Sequence, residues 1–148
     1  MKIFEKIFFL ILIFSLVLKT INFPGSSLLI LITSMSLSIF YFFLTLGLIY
    51  NIKLVNLFSE KSYRNISSFR TIGLIGFGIA LSSTISGIML VVLHWREGLS
   101  NLIVGIIALL LIVIVATKKR SGDKVFYNRV LIRTGIWLII GLIVYFIF

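Results

Sequence analysis

Few side chains in this sequence belong to the types that perform acid–base or metal chemistry. They are one histidine and four carboxylates, and there is no cysteine. Because histidine exchanges protons near neutral pH, His94 is a candidate proton acceptor, metal ligand or quinone contact. However, Glu97 is its one nearby acid, and no second histidine stands at ligand spacing. With Trp95 beside it, we favour an interfacial anchor, with no metal and no cofactor.

The four carboxylates are predicted to lie at helix ends or in loops, at Glu5, Glu60, Glu97 and Asp123. An ionisable group inside a bilayer costs about 2.5–3.5 kcal/mol on insertion scales and is retained where protons or ions move. This placement argues against a proton-driven pump built from this chain alone, and leaves room for a partner that carries the acid. Because we also find no nucleophile–base–acid set, P-loop or dinucleotide-binding glycine motif, we expect no enzymatic activity.

The composition of the chain indicates which kind of secondary structure positions these residues. Hydrophobic residues make up 60% of the chain and charged residues 12%, and the mean hydropathy is +1.22. Soluble domains contain about 25% charged residues. Since 148 residues cannot hide this much apolar surface from water, we predict an all-α, multi-pass membrane protein. The many Ile, Phe, Lys and Asn residues are typical of AT-rich bacterial genes, which favours a bacterial inner membrane.

The chain contains five apolar segments. We predict that they form one transmembrane domain, residues 1–148, made of two helical hairpins and a C-terminal helix. Each segment is close to the 20 or so residues that a membrane helix needs. The predicted helices are 3–23, 28–50, 71–95, 101–117 and 130–148. The first also has features of a signal peptide, because Lys2 and Lys6 precede a short apolar run. Since no clear small-x-small cleavage site follows, we favour a retained helix.

Basic residues predict the orientation. All of the 14 lysines and arginines except Lys19 and Arg96 fall at the N-terminus, in the second connection, or around the fourth connection. Since positive residues stay cytoplasmic, the N-terminus is predicted inside and the C-terminus outside. The net charge of +10 is then a topology signal, and no nucleic acid is expected as a partner. We expect anionic lipid headgroups to contact the inner-face residues Lys118, Lys119, Arg120, Lys124, Arg129 and Arg133.

Two polar breaks are predicted at the outer side of the inner membrane. The first contains Lys19, Asn22, Phe23, Pro24 and Gly25, and we interpret it as a tight turn, with a ligand site as the alternative. A shift of 72 residues places its Asn-Phe pair on the His-Trp pair at 94–95. Few other identities align at that shift, so it is only an indication of a parallel repeat.

Small residues recur at steps of three and four along the third segment and, less regularly, the second. Such faces let helix backbones approach closely, and their hydroxyls can bond between helices. We favour packing of these two faces within one monomer; an oligomer interface or a water-lined path is the alternative. The predicted packing residues are Gly73, Gly76, Ala80, Ser83, Thr84 and Gly87 in the third helix, and Ser34 and Ser38 in the second.

The stretch KTINFPGSSLLILI, residues 19–32, resembles the first membrane hairpin of GldL, the motor subunit of Bacteroidota gliding motility and type IX secretion. That hairpin reads approximately Lys-x-x-His-Trp-Pro-Gly-Ala-Asn, which Lys19, Pro24 and Gly25 match. The resemblance implies an N-inside hairpin in a motility or secretion complex. Two departures matter: GldL has two membrane helices and a long cytoplasmic tail, and its proton-coupling carboxylate aligns with Leu37.

These observations favour a non-enzymatic inner-membrane subunit or scaffold. Its expected partners are the lipid bilayer and other membrane proteins or further copies of this chain. An oligomeric channel for small solutes and a membrane immunity protein are the two alternatives.

Overall fold

A computed structural model describes residues 2–50 and 67–148 of the chain. This part is all-α and contains five helices. They are α1 Lys2–Thr20, α2 Ser26–Tyr50, α3 Ser68–Val92, α4 Gly98–Lys119 and α5 Lys124–Ile147. The basic residues Lys53, Lys61 and Arg64, and the carboxylate Glu60, lie outside the described residues.

All five helices begin earlier than predicted, and in α3 and α5 a side chain caps the first turn. The Ser67 hydroxyl accepts a bond from the backbone N–H of Arg70, at 3.4 Å, and starts α3. The Asp123 carboxylate accepts a bond from the N–H of Phe126, at 3.1 Å, and starts α5. Both are standard N-cap interactions. As a result Arg129 lies inside a helix.

Within residues 2–50 and 67–148, four helices are long and apolar enough to cross a membrane. These segments are Ser26–Thr45, Ser68–Val92, Gly98–Lys119 and Lys124–Ile147. Helix α1 is not among them, because its 19 residues include Glu5, Lys6 and Lys19. The chain is therefore described as a multi-pass helical membrane protein.

Helix α3 is the centre of the bundle. Its span is 61% buried, whereas the other three spans are between 22% and 33% buried. It packs against α2, α4 and α5, while α1 packs against α2. The outward faces of all five helices carry exposed Leu, Ile, Val and Phe side chains, as expected for contact with lipid.

The bundle has two distinct ends. The hairpin end contains the turns at 21–25 and 93–97 together with the C-terminus, because the His94 ring lies 6.4 Å from the ring of Phe148. The basic end contains the start of α1, the end of α2, the start of α3 and the turn at 120–123. It is identified by contacts among these segments, including the ion pair of Arg70 with Asp123 at 3.0 Å.

Candidate functional site: helix contacts and a buried ion pair

The small residues of α3 fall into three different environments. Gly87 and Thr84 face α4 at very close range: a Cβ atom on Gly87 would lie 2.5 Å from the Cα of Leu102. A Cβ atom on Gly105 of α4 would lie 2.6 Å from the Thr84 hydroxyl. The backbones of α3 and α4 therefore touch, which requires glycine at both positions. Gly105 was not among the predicted packing residues, although a glycine within an apolar membrane helix is itself a sign of close helix contact.

Hydroxyl groups join α2 to α3. The Ser38 Oγ lies 2.7 Å from the Ser82 Oγ and 3.0 Å from the Ser86 Oγ. The prediction placed Ser38 at such a contact but expected Ser83 on this face. Instead the Ser83 hydroxyl faces α4 and donates to the Asn101 side chain at 3.1 Å. One turn of α3 thus bonds to helices on both sides.

The other predicted packing residues are divided between the interior and the surface. Ala80 and Ser34 are buried. Gly73 and Gly76 are exposed, and a Cβ atom on either would have no neighbouring atom within 4 Å. The predicted stripe of small residues is therefore not one packing face. The stripe stays on one side of α3, but α4 approaches that side closely only at Thr84 and Gly87, so the first two glycines face open space.

The two hairpin turns have the same backbone hydrogen bonds. In the first, the N–H groups of Asn22 and Phe23 donate to the carbonyls of Lys19 and Leu18. In the second, the N–H groups 72 positions later, at 94 and 95, donate to the carbonyls of residues 91 and 90. This pattern is the Schellman motif, which ends a helix with a residue at positive φ.

Asn22 and His94 are the residues at positive φ, at 54° and 57°. Asn and His are among the side chains that adopt this conformation most readily. The positive φ explains why one of these two residue types occupies the same aligned position in each turn. The geometry gives His94 a role in ending α3, beside the interfacial role predicted for it with Trp95.

Around the first turn the predicted residues lie at the surface. Phe23, Pro24 and Gly25 are exposed, and Gly25 has a positive φ of 86°. The Lys19 ammonium donates to the Ser27 hydroxyl at 2.9 Å, across the turn. These contacts tie α1 to α2 and give the turn a structural explanation.

An ion pair within the bundle links α1 to α5, and sequence reasoning missed it. The Arg133 Nε and Nη2 donate to the two Glu5 carboxylate oxygens at 2.8 and 3.0 Å. Only 16% of the Arg133 side chain and 13% of the Glu5 side chain are exposed. This bidentate geometry is the strongest arrangement available to an arginine and a carboxylate.

Two aromatic residues complete this cluster. The Tyr41 hydroxyl donates to Glu5 Oε1 at 2.8 Å and accepts from the Trp137 indole N–H at 3.3 Å. Trp137, interpreted from sequence as an interfacial anchor, is instead 1% exposed. It stacks edge-on against Phe9 and Tyr41. The cluster therefore connects α1, α2 and α5.

The predicted inner-face lipid contacts separate into two groups. Arg133 is bound to Glu5, and Arg129 donates to the carbonyl of Ile49 at the end of α2, at 2.8 Å. Both face helices because they lie inside α5, which was expected to begin after Arg129. The remaining four side chains are exposed, and their contact with lipid headgroups stays a prediction: Lys118, Lys119, Arg120 and Lys124.

Searches of protein-family models, curated proteins and solved structures found no match to this chain. Across residues 2–50 and 67–148, no three His, Asp or Glu side chains lie close enough together to hold a metal ion.

Proposed function

We propose that this chain is a non-enzymatic subunit or scaffold of a bacterial inner membrane. All five helices cross the bilayer, with the N-terminus in the cytoplasm and the C-terminus outside. The basic end, which carries Arg70, Lys118, Lys119, Arg120 and Lys124, then faces the cytoplasm, as positive residues do.

The observation that carries this proposal is the pairing of Glu5 with Arg133. A lone carboxylate would keep α1 at the membrane surface, but a paired one is neutralised within the bundle. The other faces of α1 are apolar and exposed at Phe4, Leu10 and Phe14. These two properties together suit a fifth membrane helix.

The polar groups between the helices support a structural role. Ser38, Ser82 and Ser86 bond to one another, Ser83 bonds to Asn101, and Glu5 bonds to Arg133. Groups that hold one another in this way position helices and present a rigid apolar surface to other membrane proteins. The alternative of a water path along α3 has less support, because α4 closes the face at Thr84 and Gly87.

The setting we propose is a motility or secretion complex of the GldL type. It rests on the resemblance of residues 19–32, where Pro24 and Gly25 follow the helix end in the same order. The position that would carry the proton-coupling carboxylate holds Leu37, which is buried. In such a complex this chain is an accessory subunit, and a partner supplies the acid.

Cysteine labelling tests the orientation. Phe23→Cys and Ser121→Cys place thiols at exposed positions of opposite ends, and Lys6→Cys reports the start of α1. We expect an impermeant reagent to label the first from outside and the other two only after the membrane is opened. Labelling of Lys6→Cys from the same side as Phe23→Cys, or of Phe23→Cys and Ser121→Cys from one side, would refute five passes.

Photo-cross-linking in native membranes tests the scaffold role. A cross-linking residue at the exposed positions Ile79, Val104 or Ile139 should give a reproducible protein adduct from at least one helix face. The same residue at Leu81, which is buried, is the control. Adducts no stronger than the control at every exposed position, with recovery of a monomer alone, would contradict the proposal.

A further inference from the structure

An apolar cleft of about 210 Å³ lies between α3, α4 and α5 at the basic end. Its walls are aromatic and aliphatic, with Gly73 at the surface of α3. The principal lining residues are Phe69, Gly73, Leu111, Val115, Phe126 and Val130. Phe69, Leu111 and Val115 are largely exposed, so the cleft opens to the surroundings of the bundle.

The cleft exists because α3 and α4 are in closest contact elsewhere. Their backbones touch at Gly87 with Leu102 and at Thr84 with Gly105, toward the hairpin end. Toward the basic end, Gly73 has no neighbour within 4 Å of where its Cβ atom would be. The missing side chain of Gly73 therefore contributes directly to the open space.

Two cations lie on the aromatic walls of this cleft. The Lys119 ammonium is 3.5 Å from the centre of the Phe69 ring, and the Arg70 guanidinium is 5.2 Å from the centre of the Phe126 ring. Contact with an aromatic face positions a cation without using its N–H donors. Arg70 donates one hydrogen bond to Asp123, which leaves other N–H groups for a ligand.

The charge around the opening is strongly positive. Lys118, Arg120 and Lys124 are exposed beside the two cations already described, and Asp123 is the one acid in the described residues of this region. Basic pockets between membrane helices on the cytoplasmic side suit the phosphates of anionic lipids. The apolar cleft suits an acyl chain of such a lipid, and the cations at its opening suit the headgroup phosphate.

We propose that this cleft is a binding site for an anionic phospholipid. One acyl chain lies against Gly73 between α3 and α4, and the headgroup phosphate accepts hydrogen bonds from Lys119 and Arg70. The site rests on the proposal that the chain lies in a membrane, but neither on its orientation nor on the scaffold role. It is a specific site, in contrast to general attraction of lipid to exposed lysines.

Native mass spectrometry of the full chain, released from detergent, tests the site. The probes are phosphatidylglycerol and phosphatidylcholine with identical acyl chains. We expect retention of one phosphatidylglycerol by the unmodified chain and loss of that lipid in Gly73→Leu, whose side chain fills the cleft. Gly76→Leu is the matched control, since Gly76 is also exposed on α3, with open space around its Cβ position, but does not line the cleft.

Charge variants test the headgroup contact separately. Lys119→Gln and Arg70→Gln should each weaken phosphatidylglycerol retention by about fivefold, while leaving phosphatidylcholine unchanged. Circular dichroism of each variant confirms that the helices are retained.

Three outcomes would overturn the site. Equal retention of the two lipids would mean that the cleft holds any acyl chain. Unchanged retention in Gly73→Leu would place the lipid elsewhere. A dimer that Gly73→Leu converts to monomer would show that a second copy, and not a lipid, fills the cleft. Failure of the cysteine-labelling test with selective lipid retention intact would affect the orientation alone.

Discussion

Removal of one partner of the Glu5–Arg133 pair should destabilise the protein strongly. Glu5→Gln leaves the arginine in the bundle without its carboxylate, and Arg133→Gln leaves the carboxylate without its cation. Breaking a buried pair in this way costs about 3–5 kcal/mol. Because 13–16% of the two side chains remains exposed, we expect about 3 kcal/mol for each single variant.

The double variant distinguishes a specific pair from two independent effects. With neither charge present, no unpaired ion remains, so the two costs should not add. We expect a coupling free energy of about 2 kcal/mol from the double-mutant cycle. Tyr41→Phe should cost about 1–2 kcal/mol, because it removes the hydrogen bond to Glu5 and the longer one from Trp137.

The measurement is reversible unfolding in mixed micelles, with increasing fractions of a denaturing detergent. The matched controls are Glu97→Gln and Arg96→Gln, which remove one charge of each sign at exposed positions of a turn. If the Glu5 and Arg133 variants unfold like these controls, or if their costs are simply additive, the reasoning about a buried pair fails.

Three further predictions concern two helix contacts and one helix end. Gly87→Leu should lower the free energy of unfolding by about 2 kcal/mol or more, because its side chain meets the backbone of α4. Gly76→Leu, with open space around it, is the control, and equal effects would argue against backbone contact. Ser38→Ala should cost about 1 kcal/mol in the same assay, since it removes bonds between helices. Ser36→Ala is its control, because that hydroxyl bonds only within α2; equal costs would contradict the prediction. His94→Gly should raise the thermal midpoint and His94→Val should lower it, because glycine suits positive φ; the opposite order would refute a capping role.

The helices were predictable because membrane spans are long apolar runs, and charged, polar or turn-forming residues separate them. The start of α5 was not, because Lys124 and Arg129 were assigned to a loop with the other basic residues and Arg133 to the first turn of the helix. Two of these three face other helices, so their charges are accommodated inside the bundle. The capping group Asp123 was visible in the sequence and marks the true start.

The ion pair could not be found from spacing, because its residues lie 128 positions apart. There was still a local signal. Arg133 stands alone in the apolar run VLIRTGIWLII, and an arginine at such a position needs a partner. Glu5 was the carboxylate embedded in a helix at the same end, but it was assigned to a helix end. The small-residue face failed for a different reason, since a single helix does not reveal which side its neighbours occupy.

The link between the first and last helices has a consequence for biosynthesis. Residue 5 leaves the ribosome long before residue 133, so α1 must wait through the insertion of three other helices for its counter-ion. Chains that terminate prematurely, before α5 is made, carry an uncompensated acid in their first helix. The first helix is therefore held stably in the bundle only after synthesis of the chain has reached α5.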